Sequence, residues 1–340
     1  MMRQRQFLTE VQSLLDTGTH VVMGIAVGSI ATLDPVVAND PLLAQTIMLG
    51  ALIGSQAPDF DTVLKLRNNA KYIRNHRGIT HSIPAVVLWP ILITAALAFF
   101  IPGVNLLHLW AWTFSAVILH VFVDIFNAYG TQALYPFKKK WIALGVIYIF
   151  DPFIFIGHIV AIIFWQIGFH QGFTFLTLYF VLIFYYVWRF YARNKVYKLA
   201  MQEHPDATHV FISPSFKWRR WHVVIRTKDM MYVAQAEKDQ IKYHESYPFE
   251  PIPNIPIINA AKKDENLSAF LSFSPSYRWE IVDEGDHQEV RFIDLRYRSK
   301  GHYPFVAIVK IDNNHNILSS YTGWIYNQDT LKKKLEFATE

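Results

Sequence analysis

The chain of 340 residues contains no cysteine. Disulfides and thiolate metal sites are therefore excluded, and any bound metal must be held by histidine and carboxylate. That donor set favours zinc, manganese, iron or a similar ion. Charge is also scarce, at 17% of residues against 52% hydrophobic, and it is unevenly spread. From Ser82 to Val123 there is no Asp, Glu, Lys or Arg at all. Beyond about residue 200 the charge density is that of an ordinary soluble domain. The basic start, with Arg3 and Arg5, lacks an apolar stretch directly behind the arginines and an evident cleavage site. Residues 1–19 thus read as a cytoplasmic amphipathic lead-in and not as a signal peptide.

What is present in quantity is apolar sequence. A bilayer span needs about 20 mostly apolar residues. Four segments meet this, at about 83–101, 106–128, 141–168 and 173–191. Two earlier ones, about 20–33 and 42–57, are shorter and rich in Gly, Ala and Ser, which suits close helix packing or a re-entrant path. Basic residues fall between these segments in a regular alternation. They include Lys65, Arg67, Lys71, Arg74 and Arg77 after the second, Lys138, Lys139 and Lys140 after the fourth, and Arg193, Lys195 and Lys198 after the sixth. The remaining connections carry no Lys or Arg. Six segments with both termini in the cytoplasm place every basic cluster on one side. The expectation is an α-helical integral membrane domain over residues 20–192.

The remainder, 204–340, reads as a small antiparallel β-rich cytoplasmic domain. "KWRRWHVVIRTKDMMYVAQA" is two β-rich runs around a polar "TKD", a hairpin signature. The Pro- and Asn-rich "YPFEPIPNIPIINAAKKDEN" reads as a loop or an extended crossing segment.

With this topology, the acidic and imidazole groups can be placed by depth. His20 opens the first segment. Asp59 and Asp61, in "APDFD", leave the second, and His76 and His81, in "HRGITHS", enter the third. His120 and Asp124 stand four apart near the end of the fourth, on one helical face where both can hold one ion. All seven fall on the cytoplasmic side. Taken singly, each has a plainer reading: helix capping for Asp59 and Asp61, membrane-edge anchoring for the "HRGITHS" stretch, helix packing for His20, and for Asp124 near the end of the fourth segment a hydrogen bond to a neighbouring helix or a pair with one of the basic loop residues. It is the convergence of four separate stretches that points to a metal site. Arg77 adds a planar fork suited to phosphate or carboxylate. His108 and His170 lie on the opposite side with no carboxylate near, and His158, within an apolar run, is expected to be packed or hydrogen-bonded between helices. Asp151 before Pro152 is expected to cap the half-helix that follows, the alternative being an outer partner of a ligand histidine.

These stretches together resemble the YdjM/YfhP-like family of membrane-bound metal-dependent hydrolases. The resemblance rests on "THVVMG" (19–24), "APDFD" (57–61), "HRGITHS" (76–82) and "HVFVDIFNAYGTQALYPF" (120–137), in that order. It implies a bound metal and a hydrolytic activity, with His20, Asp59, Asp61, His76, His81, His120 and Asp124 as metal-site candidates. Arg77, Asn127 and Thr131 would support the substrate or the ligands. The His-x-x-x-Asp helix is more distantly similar to zinc-dependent phospholipase C, although the amino-terminal tryptophan ligand of that enzyme is absent.

The expected function is a metal-dependent hydrolase acting on a phosphoester of a membrane lipid or lipid-linked substrate at the inner leaflet. It would use one to three divalent ions, zinc first, with manganese or iron as alternatives. Asp59 or Asp61 would bridge ions or act as general base, and Arg77 would neutralise the phosphate. The competing reading is a membrane-anchored regulatory protein with a structural metal, whose β-rich domain engages a cytoplasmic partner or nucleic acid. The basic-aromatic "FKWRRWHVVIR" fits a solvated strand face better than a nucleic-acid surface.

Overall fold

The computed structural model describes residues 17–66, 69–75, 77–299, 301–325 and 335. They form two compact units divided at Asp61/Thr62, near residue 76, and at Ala192/Arg193.

The first unit is helical. Its elements are α1 (Thr17–Leu33), α2 (Pro35–Ala38), α3 (Pro41–Gly54), α5 (Ile83–Phe100), α6 (Leu106–Ile125), α7 (Pro152–Gln166) and the first two-thirds of α8 (Gln171–Glu203). Helices α5, α6 and α8 are long and apolar enough to cross a membrane, and α1, α3 and α7 are shorter apolar helices. The sequence expects a span over about 141–168, but the helix there begins only at Pro152. Two local causes account for this. Gly145 takes φ +61, outside the helical region, and a residue before proline is pushed away from the α conformation. Asp151 then caps α7, its Oδ1 accepting from the Phe153 and Ile154 amides at 3.0 and 3.4 Å. Helix α8 is longer than the 173–191 span the sequence suggests, continuing to Glu203.

Small residues set how closely these helices approach. A Cβ on Gly28 of α1 would sit 2.9 Å from the Met48 Cα of α3, and one on Gly54 3.1 Å from the Thr113 carbonyl of α6. The α1–α3–α6 contact is therefore nearly backbone to backbone, as expected of helices packed in an apolar medium. It brings the start of α1, the end of α3 and the last turns of α6 to one place.

The second unit holds α4 (Asn69–Asn75), the end of α8 and two four-stranded antiparallel sheets. The first sheet is β1 (His209–Pro214), β2 (Arg220–Arg226), β3 (Met230–Glu237) and β4 (Gln240–Pro248), in sequence order. Its β2–β3 hairpin turns over residues 227–229, at the "TKD" the sequence marks. The β3–β4 turn is a two-residue one with Lys238 and Asp239 both at positive φ, the backbone that matches strand twist. The second sheet is β5 (Tyr277–Asp283), β6 (Gln288–Asp294), β7 (Phe305–Ile311) and β8 (Ile317–Trp324). Between the two sheets in sequence come α9 (Pro256–Ala261), inside the 247–266 stretch that the sequence reads as a loop or an extended crossing segment, and α10 (Glu265–Phe273), which starts at the end of that stretch. Pro256 stands at the first helical position, where a missing N–H costs nothing, and the Asp264 side chain caps α10 through the Leu267 amide.

Phe270 of α10 packs on Phe292 and Phe305 in a core that also includes Ile258. Helix α4 belongs to this unit as well: Ile73 packs against the same core, and Arg74 donates to the Ser268 hydroxyl at 2.8 Å.

Candidate metal centre

Four side chains converge in the helical unit. Asp59 comes from a 3-10 helix (Ala57–Leu66), His81 from the last residue of a short 3-10 turn (Ile79–His81), and His120 and Asp124 from α6. The His81 and His120 Nε2 atoms are 3.2 Å apart. His81 Nε2 lies 3.5 Å from Asp59 Oδ1 and 3.2 Å from Asp124 Oδ2; for His120 Nε2 these distances are 3.7 and 3.6 Å. His81, His120 and Asp124 are buried, while the Asp59 side chain retains 21% exposure. The cluster therefore opens on the Asp59 side.

The outer nitrogens decide what the inner ones present. His120 Nδ1 donates to the Ser55 carbonyl at 2.6 Å, one of the acceptors that a helix leaves over at its C-terminus. The Thr80 hydroxyl donates to Asp61 Oδ2 at 2.6 Å, so its oxygen is left to accept from His81 Nδ1 at 3.1 Å. With both Nδ1 atoms acting as donors, both Nε2 lone pairs face the centre. Asp59 Oδ1 and Asp124 Oδ2 are buried with no donor in hydrogen-bonding geometry. Four acceptors thus point at one another, an arrangement that is unfavourable unless a cation lies among them.

The spacing suits one. Ligand atoms about 2.0–2.2 Å from a tetrahedral zinc ion stand about 3.3–3.6 Å from each other, and the five separations above run from 3.2 to 3.7 Å. The residues present fit a divalent ion held by two histidines and two carboxylates.

In the absence of an ion a proton takes part of this role. Burial opposes charging of His81, but the Asp124 and Asp59 carboxylates outweigh it and push its pKa up to about 9. Burial likewise opposes ionisation of Asp59, yet His120 and His81 hold it well below the usual carboxylate range. An ion binding at His81 below pH 9 must therefore displace a proton. Metal affinity is expected to rise with pH, by up to about tenfold per unit between pH 6 and 9, and to level off above that. Calorimetric titration in buffers of different ionisation enthalpy checks this, and affinity independent of pH over that range would contradict it.

The other candidates stand around this group. His20 stacks on His120 with ring centroids 3.9 Å apart, and its Nε2 is 3.7 Å from the other Asp124 oxygen, Oδ1. Arg77 approaches the same Oδ1, its Nη2 at 3.2 Å, and holds a left-handed backbone with φ 57. Asp61 is not one of the four facing groups; its Oδ2 accepts from Thr80 and from the Arg77 amide. Asn127 donates to Asp124 Oδ1 at 3.5 Å and receives the Tyr129 and Gly130 amides, while Thr131 bridges to Ile142. His76 lies outside the described residues.

His158 is buried and bonded to the Ile154 carbonyl and the Tyr179 hydroxyl, as a packed histidine should be. His108 departs from expectation. Its Nδ1 lies 2.6 Å from Asp34 Oδ2, with the Trp112 indole on the same oxygen. The carboxylate comes from the connection after α1, 74 residues away, which the sequence does not link to α6.

Ser55 and Thr80 are the participants the sequence does not reveal. Thr80 stands inside "GITHS", next to a candidate ligand; Ser55 acts through its backbone and leaves no sequence trace. Thr80→Val is expected to weaken metal binding by roughly 10–100-fold, the usual effect of removing a partner that orients a ligand. A chelator competition assay reads this, and an unchanged affinity would count against the assigned His81 orientation.

Fold and site together define a membrane-protein class: an apolar helical domain with a buried His/Asp cluster at one end of its helices, followed by two small sheets. The chain belongs to the YdjM inner membrane protein family, whose model matches residues 15–196. Residues 205–247 match the YfhP middle domain and residues 256–335 the YfhP C-terminal alpha/beta plait domain. The chain is 55% identical over 326 residues to the uncharacterized protein YfhP of Bacillus subtilis (strain 168), covering 96% of this chain and 100% of that one. No solved structure matches it.

Proposed function

We propose that this protein is a metal-dependent hydrolase of the cell membrane, cleaving a phosphoester of a lipid or lipid-linked substrate at the inner leaflet. The observation that carries the reading is the set of four acceptor atoms on Asp59, His81, His120 and Asp124, facing one another without a donor. In the topology proposed with it, all six apolar helices are embedded, both termini are cytoplasmic and the two sheets lie on the cytoplasmic side. The basic loops then share the face that carries the cluster.

A divalent ion, zinc first, would supply Lewis acidity and make a water molecule acidic enough to attack near neutral pH. The chain's own residues provide the rest. Asp59, the exposed member, would be the ligand that gives way to the attacking water and accepts its proton. Arg77, already a partner of Asp124, neutralises negative charge on the phosphoryl oxygens. His20, stacked on His120 and beside the second Asp124 oxygen, is placed to help hold a second ion.

An amphiphilic substrate is favoured by the rim. Phe60 and Ile79, which stand between site residues in the chain, are 69% and 58% exposed. Such side chains suit an acyl or isoprenoid chain entering from the bilayer, with Lys138, Lys139 and Lys140 drawing the anionic headgroup.

Phosphorus-31 NMR of metal-loaded protein in mixed micelles with phospholipids and lipid-linked phosphates tests the reading. Phosphate or headgroup release by the wild type, lost in a folded His81→Ala variant, is the expected result. Metal-replete protein that releases nothing from any of these substrates would contradict it.

A further inference from the structure

From His209 to Lys228 the chain has no acidic residue and five basic ones, Arg219 and Arg220 among them. Most of this stretch is strand, but the β1–β2 turn presents four consecutive exposed side chains: Phe216, Lys217, Trp218 and Arg219. Phe216 and Trp218 are 60% and 43% exposed. The turn is held in shape by the Ser215 amide on the Arg220 carbonyl, the Arg220 amide on the Lys217 carbonyl and the Ser215 hydroxyl on the Lys217 carbonyl. Arg220 is engaged by Glu237 at 2.7 Å, which leaves Lys217 and Arg219 as the turn's outward charge. Two large aromatics displayed on a fixed turn, each beside a cation, are costly in plain water and suited to the interfacial layer of a membrane.

The depth of this turn follows from α8. Strand register pairs Arg220 with Glu237 and Glu237 with Gln240, so the β1–β2 and β3–β4 turns lie at the same end of the sheet. Asp239 in the second of these turns forms a 2.7 Å ion pair with Lys195 of α8. Farther along the helix, Glu203 accepts from Tyr243, and His204 just beyond its end packs on Tyr232, both toward the sheet's middle. Residues 193–203 of α8 therefore run along the sheet with Lys195 toward the two turns. Lys195 is four residues past Tyr191, where the apolar run ends, a rise of about 6 Å. That is roughly the thickness of one headgroup layer.

We infer that the Phe216–Arg219 turn is a membrane-docking tip. It inserts its two aromatic rings into the headgroup layer of an anionic leaflet, with Lys217 and Arg219 on lipid phosphates, and so fixes the first sheet against the membrane that holds α8. The inference needs α8 to be embedded but does not depend on any hydrolytic activity.

The absence of native cysteine makes the test direct. Full-length Phe216→Cys and, as a control at the opposite end of the sheet, Lys228→Cys are labelled with bimane. Both are reconstituted in nanodiscs of brominated phosphatidylcholine, with or without brominated phosphatidylglycerol. The label at 216 should be quenched at least about fivefold more in the anionic discs than the label at 228, as two basic residues near such a surface imply. Lys217→Glu/Arg219→Glu in the same background should bring it down to the control. Quenching at 216 equal to that at 228 would overturn the inference. Equal quenching with and without phosphatidylglycerol would overturn it too, since the basic side chains would then have no part.

Discussion

Replacing Asp124 by asparagine is expected to abolish stoichiometric metal binding and to destabilise the protein at the same time. Asp124 is the hub of the cluster: His20, Arg77, His81 and His120 all approach its two oxygens within 3.7 Å. Asparagine keeps the shape but loses the charge, so Arg77, 3% exposed, is left buried opposite a neutral amide. Removing one partner of a buried ion pair costs about 3–5 kcal/mol. The metal effect comes from the other oxygen, which faces both imidazole lone pairs. Elemental analysis after gel filtration and a thermal aggregation curve in detergent separate the two effects. Wild-type protein stripped with a chelator is the comparison, because it has lost the ion but keeps Asp124. If the variant matched the stripped wild type in stability, Arg77 would not depend on this carboxylate.

The second large effect is expected at Gly130. It holds φ +71, and a Cβ there would stand 2.2 Å from the Ile142 carbonyl oxygen and 2.6 Å from its carbon. Both partners are backbone, and Thr131 and Ile142 are tied by reciprocal hydrogen bonds at 3.1 and 2.9 Å. Neither can yield cheaply. Gly130→Ala thus combines left-handed strain with an overpacked backbone contact, together about 2–5 kcal/mol. The damage should reach the site, because the same loop returns Asn127 to Asp124 and the Gln132 amide to the Arg77 carbonyl. A midpoint lowered by roughly 5–15 °C is expected, with weaker metal binding. A variant as stable as the wild type would mean that the loop does not close on Ile142 in this way.

The extent to which this was legible beforehand differs by residue. His120 and Asp124 follow from spacing alone, since four residues on a helix share a face whatever the tertiary structure. Asp59 and His81 follow from their place at segment ends that the charge alternation puts on one side. Which of Asp59 and Asp61 faces the cluster does not follow, because in the 3-10 backbone the choice depends on where Thr80 and the Arg77 amide come to lie. Ser55 and Thr80 act through contacts between distant stretches, and one of them only through its carbonyl. The same limit hides the Asp34–His108 pair.

In the tail, the "TKD" hairpin is local and readable. The helix Pro256–Ala261 is masked by a proline, which breaks a helix in its interior but opens one at the first position, whereas Glu265–Phe273 starts at the Asp264 cap. The capture of Ile73 by the second sheet's core is likewise a long-range event.

The central claim is that Asp59, His81, His120 and Asp124 surround a divalent ion. The most direct test is the metal content of detergent-purified full-length protein, measured by elemental analysis beside a His76→Ala/His81→Ala double variant. Between one and three equivalents of zinc, manganese or iron in the wild type, lost in a variant that remains monodisperse, is the predicted result. A well-folded wild type that holds no metal even after supplementation would contradict it.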